Sequence, residues 1–414
     1  MKRDILTRIM GLWLTLLLLT ACSHEEKGGN FDDCYLTIYV YSPSKPIVTR
    51  SDVGYQAASP EEENAVHRLQ LWVYKHNSGE LVGYLDEKDV DFDGGNSSTF
   101  RVVVSPEFAD APENVDVFAI ANVAEANTGH VFNRKTTRSE LEAAVLEGKF
   151  FGQTAGAPIQ EIPEDGLPMS GVLRDKGVEG SFPALRIVNE DQMATVRLVR
   201  AVSKVRFLLC RAHDPEDKDK QLTAITSIEL NANQISAQEH LMLTEPYDYS
   251  INPTYPLGAN RINIVPGDYE TEVIKFGSIT GEGISRIPID ETPTRWLYNE
   301  ATYGTVEAYN TAIENAINKT PQELVPFGVT YLRETDKRIQ GMISYRVASD
   351  DERAAADRQA VFELNKAGDF TRNHSWTVLI LFEGGQIYTI NVVDIGIRDW
   401  TSDDAPENHA VYNW

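Results

Sequence analysis

The chain has 414 residues, with 62 acidic and 38 basic side chains and a formal net charge of -24 at pH 7. Such a charge repels polyphosphate and argues against a nucleic acid, or an anionic membrane, bound by charge. Hydrophobic residues make up 42% of the chain, enough for a packed core, whereas three cysteines are too few for a disulfide framework at this length. The length predicts about two domains.

The amino-terminal segment has the layout of a lipoprotein signal peptide. Positive residues precede an apolar run over 9–19 that is too short to span a bilayer, and the run ends in Leu19-Thr20-Ala21-Cys22. Small residues followed by a thiol are what lipoprotein processing requires. We therefore expect removal of residues 1–21, acylation of Cys22 with palmitate-type chains, and an outer-membrane location. An ordinary secretory signal with a chance cysteine is the alternative.

Segments rich in Val, Ile, Thr and Tyr dominate the remaining sequence in chain order. They predict strands at 35–41, 69–74, 99–104, 115–122, 194–209, 225–230 and 295–298. A capping box with Ser139 at N-cap and Glu142 at N3 predicts a helix that runs to about residue 147. Further helices are predicted at 306–317 and 353–364. The Gly384-Gly385 pair between 376–382 and 387–393 predicts a β-hairpin, so the fold class is mainly β.

Local motifs for catalysis are absent from the sequence. No histidine lies within five residues of another, so a helical pair of metal ligands is missing. Neither a Gly-x-Ser-x-Gly elbow nor a phosphate-binding loop with lysine occurs. We therefore predict a protein that is not an enzyme and uses no cofactor.

Two weaker features leave alternatives open. Asp89, Asp91 and Asp93 alternate before Gly94, as in the first half of a calcium-binding loop, but Phe100 stands where the bidentate Glu belongs. The same carboxylates can simply solvate one face of an extended segment. Likewise, Cys34 and Cys210 can pair in an oxidising compartment or remain free, and their spacing does not decide between the two.

Four sets of residues follow one another along nearly the whole chain. They are the lipobox followed by a tether, a strand and Arg50; Gly166-Leu167-Pro168-Met169-Ser170-Gly171 followed by 196–205; Trp296-Leu297-Tyr298-Asn299-Glu300; and Arg372-Asn373-His374-Ser375-Trp376 followed by the hairpin and Asp399-Trp400. Together they resemble the fimbrillin family, the subunits of type V pili. Ser203 stands where the family usually has Ala, and Trp376 where it usually has Tyr.

The resemblance implies a fold and a division of the chain. It implies two transthyretin-like β-sandwich domains with a few short helices and a non-enzymatic, polymer-forming role. The divisions are a signal peptide at 1–21, a tether and propeptide strand at 22–50, an N-terminal sandwich at 51–195 and a C-terminal sandwich at 196–414. Partners are then other pilus subunits, a processing protease and the lipid on Cys22, and the final location is a cell-surface fimbria.

The resemblance also implies a mechanism of assembly. The strand at 35–41 fills a groove of the N-terminal sandwich through Leu36, Ile38 and Val40. A trypsin-like or gingipain-like protease cuts between Arg50 and Ser51, and a strand of the next subunit takes the vacated place. Candidate donors are 387–397 and the carboxyl-terminal tail, through Val411, Tyr412 and Trp414.

Other readings of the same sequence predict different behaviour. An anchor subunit keeps its lipid and is not cut at Arg50. A glycan- or protein-binding lipoprotein with two β-sandwiches predicts a concave aromatic patch that includes Trp72 or Tyr298, and it forms no polymer.

Overall fold

The computed structural model describes residues 34–42, 60–90, 97–104, 114–147, 162–173, 185–186, 192–212, 222–231, 236–244, parts of 263–312, 325–348, 356–365, 369–383, 385–396 and 408–413. This part of the chain is mainly β, as the sequence predicts. Its helices are short: α1 (Pro60–Asn64), α2 (Glu125–Thr128), α3 (Arg138–Ala143), α4 (Glu282–Ser285) and α5 (Glu300–Tyr303). Among these residues no helix has the length and apolar character that a bilayer crossing requires.

The first half, which we define as residues 34–200, contains a nine-stranded sheet. The half comprises β1 (Cys34–Tyr41), β2 (Arg68–Lys75), β3 (Leu81–Lys88), β4 (Ser97–Val104), β5 (Asn114–Ala121), β6 (Val145–Glu147), β7 (Met169–Val172), β8 (Leu185–Arg186), β9 (Gln192–Arg197) and β10 (Val199–Arg200). The strand order is β10-β7-β5-β2-β3-β4-β1-β9, with β8 beside β5. Strands β3 and β4 join through the single pair Gly83 and Val104, and side chains from both sides of this joint share one core.

The second half, residues 203–413, has two sheets. It comprises β11 (Ser203–Ala212), β12 (Leu222–Asn231), β13 (Gln238–His240), β14 (Val273–Lys275), β15 (Ile279–Thr280), β16 (Ile289–Asp290), β17 (Val325–Leu332), β18 (Gln340–Val347), β19 (Ala356–Glu363), β20 (His374–Glu383), β21 (Gln386–Gly396) and β22 (Asn408–Asn413). One sheet has the order β16-β11-β20-β21-β22, with β17 beside β11. The other has the order β14-β12-β18-β19, with β15 beside β12.

Alternating apolar side chains build a core between these two sheets. On β11 the inward positions are Val205, Phe207 and Leu209, all fully buried, and they pack in one cluster with residues of β12, β18 and β20. Phe207 contacts Phe276 and Phe362 edge to face, with ring centroids 4.9 and 6.1 Å apart. Period-two alternation on facing sheets is the pattern of a β-sandwich.

The structure differs from the predicted helices in two places. The capping box of α3 uses Thr137 and Glu140, two residues earlier than predicted, and β6 occupies 145–147. Both pairs fit the same local pattern, but the observed register lets Arg138 pair with Asp116. The predicted helix at 353–364 is wrong, because β19 pairs there with β18.

The remaining elements largely follow the sequence. The hairpin of β20 and β21 turns at Gly384-Gly385, and Gly385 has φ +74°. The predicted strand at 295–298 lies outside the described residues. Of the predicted helix at 306–317 only residues 308 and 312 are described, and both are helical. The first sheet runs to Arg200, so the boundary predicted after residue 195 falls within β9.

Candidate functional site: the slot of strand β1

Strand β1 lies between two neighbours within its sheet. It pairs antiparallel with β4 from Cys34–Val104 to Tyr41–Ser97, and parallel with β9 from Leu36–Gln192 to Tyr41–Arg197. Both hydrogen-bonding edges of β1 are therefore used. We call the space between β4 and β9 the β1 slot, because removal of β1 would leave two unpaired edges facing each other.

The inward face of β1 is part of the core of the first half. Leu36, Ile38 and Val40 are at most 1% exposed and pack in the same cluster as side chains of β2 and β5. The outward residues Tyr35 and Tyr39 are only half-buried. Burial of an aliphatic side chain contributes about 1.5–3 kcal/mol, so these three positions are a substantial share of the core.

The end of β1 meets helix α1. The hydroxyl of Ser42, the last described residue before 43–59, donates to the carbonyl of Asn64 at 2.8 Å. Arg50 and Ser51 belong to 43–59 and lie outside the described residues. The chain therefore leaves β1 and returns to α1 at one place, so a break between 43 and 59 would separate β1 without interrupting a described element.

Helix α1 is held by a buried polar cluster. The carboxylate of Glu63, 1% exposed, pairs with Lys204 and accepts a hydrogen bond from the Tyr331 hydroxyl at 2.6 Å, while the side chain of Asn64 accepts one from Arg200. Burial raises the pKa of Tyr331 well above its usual value and lowers the pKa of Lys204. Because these partners lie on β10, β11 and β17, α1 is fixed to the last strand of the first half and to two strands of the second half.

The Met169-Ser170-Gly171 motif lies where β7 passes close to β9. A Cβ atom on Gly171 would lie 2.5 Å from the carbonyl oxygen of Arg197, closer than real Cβ contacts, so only glycine fits. The hydroxyl of Ser170 donates to the carbonyl of Leu241 at 2.7 Å. The motif therefore permits a close approach within the first half and a polar link to the second.

A second buried cluster reinforces that link. Arg372 donates to the Glu334 carboxylate at 2.9 Å and to the carbonyls of His240 and Leu241 at 2.7 and 3.2 Å. It also lies 3.7 Å from Glu239. The segment that Arg372 holds contains β13, which pairs with β6 of the first half.

The carboxyl group of Glu239 is unusual within this cluster. It is fully buried, and its Oε2 atom accepts a hydrogen bond from the backbone N–H of Glu334 at 3.1 Å. Burial, opposed by Arg372 and reinforced by the second carboxylate of Glu334, raises the pKa of Glu239 to about 7. This group therefore takes up a proton near neutral pH.

The carboxyl-terminal tail forms an edge strand. Strand β22 pairs antiparallel with β21, so that Val411 is opposite Asn391 and Tyr412 is opposite Ile390. Trp414 and Cys22 lie outside the described residues. Residues 408–413 are therefore at an edge of their sheet as far as the described residues go, and they pair with β21 and not with β4 or β9.

The remaining sequence candidates have different outcomes. Asp89 is described, with φ +54°, but Asp91 and Asp93 are not, so the calcium hypothesis stays a prediction. Within the described ranges, no group of three His, Cys, Asp or Glu side chains could hold a metal ion. Cys210 is buried on β11, where its Sγ atom lies 3.7 Å from the carbonyl oxygen of Arg211, and the side chain of Cys34 lies outside the described part of the chain.

The aromatic patch expected for a glycan-binding protein does not include Trp72. This side chain is fully buried, and its indole N–H donates to the carbonyl of Asn133 at 3.1 Å. Tyr298, the other residue named for that patch, lies outside the described residues.

Sequence reasoning missed the residues that hold the site together. Glu63 reads as one of three consecutive glutamates before Asn64, and Glu239, Glu334 and Arg372 are far apart in the chain. Each acquires its role only through tertiary contact. The one local signal is the Arg372-Asn373-His374 motif, which indicates that the arginine is of interest but does not predict which residues it contacts.

Comparisons with known proteins return structures and no sequence relatives. No family model matches the chain, and no curated protein matches it. The chain is similar to the structure of a cell adhesion protein from Parabacteroides distasonis, with 13% identity, a TM-score of 0.48, and coverage of 92% of this chain and 97% of that one.

Two further structures come from Porphyromonas gingivalis. The tip fimbrial protein Mfa3 is 12% identical, with a TM-score of 0.39 and coverage of 92% of this chain and 100% of that chain. The fimbrial anchor protein Mfa2 is 10% identical, with a TM-score of 0.33 and coverage of 89% and 100%. Fimbrial proteins are thus among the structural neighbours, as the resemblance of the sequence predicts.

Proposed function

We propose that this chain is a structural subunit of a cell-surface pilus, a fimbria that supports adhesion. It is exported as a lipoprotein through Cys22, cut between Arg50 and Ser51, and polymerised by β-strand exchange. The observation that carries the proposal is the β1 slot, in which a single amino-terminal strand supplies both a sheet position and part of the core. The role requires neither a catalytic group nor a cofactor.

Loss of β1 would create a site that only another strand can fill well. Strands β4 and β9 would present unpaired backbone groups, and the places of Leu36, Ile38 and Val40 would become an apolar groove. An incoming strand satisfies the hydrogen bonds and fills the groove at once, which is β-augmentation. The donor strand and the slot are different surfaces. Such contacts therefore do not close into a ring but extend into a fibre.

The position of α1 supports the proposed cut. The hydrogen bond between Ser42 and Asn64 joins the end of β1 to the end of α1, and Glu63 holds α1 through Lys204 and Tyr331. After a trypsin-like or gingipain-like protease cuts at Arg50, β1 is free to leave, while the chain from α1 onward remains attached.

Two segments of the chain are candidate donors. Among the described residues, strand β22, with Val411 and Tyr412, pairs only with β21, so its release breaks a single row of pairs. The end of β21 and the residue after it carry Val393, Ile395 and Ile397, which repeat the spacing of the leaving strand, but β21 is paired on both sides. We favour the tail because an edge strand is released at lower cost.

The domain assignment belongs to the same proposal. Two β-sandwich domains at 51–195 and 196–414 would follow a tether and propeptide strand at 22–50. An uncut lipoprotein, such as a fimbrial anchor or an adhesin that binds glycan or protein, is the alternative. Burial of Trp72 weakens its glycan-binding form.

Limited trypsin digestion followed by electron microscopy tests the proposed function. We expect a new amino terminus at Ser51, release of the fragment that ends at Arg50, and fibres only after the cut. The matched control is Arg50→Gln, which should remain monomeric under the same digestion. Release of the fragment without fibres would contradict strand exchange, whereas wild-type protein that stays uncut would indicate an anchor.

Deletion of 409–414 tests the choice of donor. The truncated chain should fold as a monomer and be cut at Arg50, but it should not polymerise. The control replaces 401–404 with Gly and Ser, which changes the preceding segment and leaves β22 intact. Polymer at the wild-type yield from the truncated chain would exclude the tail and leave 387–397 as the donor.

A further inference from the structure

The loop at residues 129–136, which we call the basic loop, is cationic, whereas the chain as a whole is strongly acidic. The segment 126–139 contains three cationic residues and no acidic one, in a chain of net charge -24. Arg138 is occupied by Asp116 and Glu142. Arg134 and Lys135 are exposed, and neither has an acidic partner in the part of the chain that the structure describes.

Hydrogen bonds from side chains of strand β2 hold the basic loop in place. Three outward side chains at alternate positions of β2 each donate a hydrogen bond to a loop carbonyl. These bonds join Gln70 to Phe132, Trp72 to Asn133 and Tyr74 to Thr136, at 3.0, 3.1 and 2.6 Å. Burial raises the pKa of the Tyr74 hydroxyl, so that it remains a donor. The loop therefore has a defined position on the sheet.

Hydrogen bonds within the loop fix its conformation as well. The N–H of Asn133 donates to the Thr136 hydroxyl at 2.9 Å, and the Asn133 side-chain oxygen accepts from the N–H of Lys135 at 2.8 Å. Gly129 enters the loop with φ +66°, a conformation that favours glycine. A surface that is ordered in advance loses less conformational entropy when it binds.

The crest of the loop is apolar as well as cationic. Val131 is 59% exposed, and beside it the exposed His130 ring packs against the buried Phe132 with centroids 5.8 Å apart. Phe132 in turn contacts Trp72 edge to face. Phe132 is therefore buried beneath the loop, whereas Val131, Arg134 and Lys135 are exposed to solvent.

This combination fits a polypeptide surface better than a polyanion. Affinity for a polyanion grows with the number of cations that engage it, and here two unpaired cations stand on a strongly negative molecule. Contact with an apolar neighbour would remove Val131 from water, and Arg134 suits a bidentate carboxylate. A second copy of this chain offers both, because the chain has 62 acidic residues and exposes apolar side chains such as Val103 and Ile289.

We propose that the basic loop is a docking surface for an acidic, partly apolar surface of a second copy of this chain. The contact uses a loop that packs on β2 and not on β4 or β9, the strands of the β1 slot, and it is weak for a single pair. Where many copies are arrayed, the same weak contact is repeated and its effect accumulates. Salt weakens the contact, because exposed charges carry it.

Site-specific photo-crosslinking of the intact, uncut chain tests this proposal independently of strand exchange. A benzophenone amino acid at Val131 should crosslink to another copy, in an acidic segment that mass spectrometry identifies. The same amino acid at Val361, which is 50% exposed on β19, is the matched control and should crosslink far less. Equal yields at the two positions would overturn the proposal.

Charge reversal provides the second measurement. R134E with K135E should lower the crosslink yield at Val131 by about tenfold, the effect of two lost surface ion pairs. K88E with R101E changes the net charge equally at other exposed positions and should leave most of the yield. If both double variants lost the same fraction of the crosslink yield, net charge alone would explain the loss, and the proposal would be overturned. Binding of sulfated polysaccharide without any contact between copies would also overturn it.

Discussion

Strands β1 and β11 occupy corresponding places in the two halves of the molecule. Each lies between an antiparallel neighbour, β4 or β17, and a parallel neighbour, β9 or β20. Their connections differ. Strand β11 follows β10 after two residues, whereas β1 is joined to the rest of the chain through 43–59. A cut within 43–59 would therefore separate β1 from the chain that follows it, whereas β11 would remain attached to β10 through Ala201 and Val202.

The sheets also differ beyond the parallel neighbour. Strand β9 ends its sheet among the described residues, whereas β20 continues into β21 and β22. The second half thus carries additional strands at the edge where the first half carries none. If assembly proceeds by strand exchange, one half supplies the slot and the other the donor, and the same basic arrangement serves both purposes.

The largest effect on stability is expected in β11. Phe207→Ala should lower the free energy of unfolding by about 3–5 kcal/mol, because it opens a cavity beside Phe276 and Phe362. Chemical denaturation of the protein before and after trypsin treatment measures it. The loss should be the same in both forms. A loss confined to the uncut form would mean that β11 is not independent of β1.

The corresponding change in β1 should behave differently. Ile38→Ala should destabilise the uncut chain by roughly 2–5 kcal/mol, since Ile38 is fully buried. Polymer that has lost β1 should show no difference from wild type in denaturant resistance. Thr37→Ala, on the outward face, is the control. A destabilised polymer would show that β1 remains in place after assembly.

The smallest expected effect concerns the link between the halves. The pKa of Glu239 is raised in the folded chain, to about 7 from an ordinary value of 4.5, so folding takes up a proton between these values. This contribution to stability is complete below about pH 4.5 and is lost as pH rises through about 7.

Glu239→Gln should flatten the dependence of stability on pH between 5 and 8. The expected difference from wild type across that range is roughly 1–3 kcal/mol, with the variant relatively more stable at pH 8. Thermal unfolding at several pH values measures it. Wild-type slopes in the variant would assign the pH dependence to another group.

The sequence predicts those elements whose signals are local. Runs rich in apolar, β-branched and aromatic residues identify β1 and β2, and the Gly384-Gly385 pair identifies the hairpin of β20 and β21. The resemblance to fimbrillins identifies β1 as the strand of interest. In each case neighbouring residues contain the information, so no knowledge of the tertiary structure is needed.

Two failures have a physical cause. The segment 356–363 contains Ala, Arg, Gln and Glu, which favour helices, but its alternate residues Ala360 and Phe362 are buried against β18. Tertiary packing overrides local propensity there. The clusters around Glu63 and Glu239 could not be predicted, because their members are separated by up to 268 positions, as between Glu63 and Tyr331.

The parallel pairs have a consequence for the order of folding events. Strand β1 is made first, yet its parallel partner begins at Gln192, and β11 likewise waits for β20 at His374. Non-local pairs of this kind form slowly, since a long loop must close before the contact is gained. Until residue 197 has been made, the apolar β1 therefore lacks its parallel partner and is prone to aggregate. Binding of a chaperone to this segment until residue 197 has been made would lower the chance of aggregation.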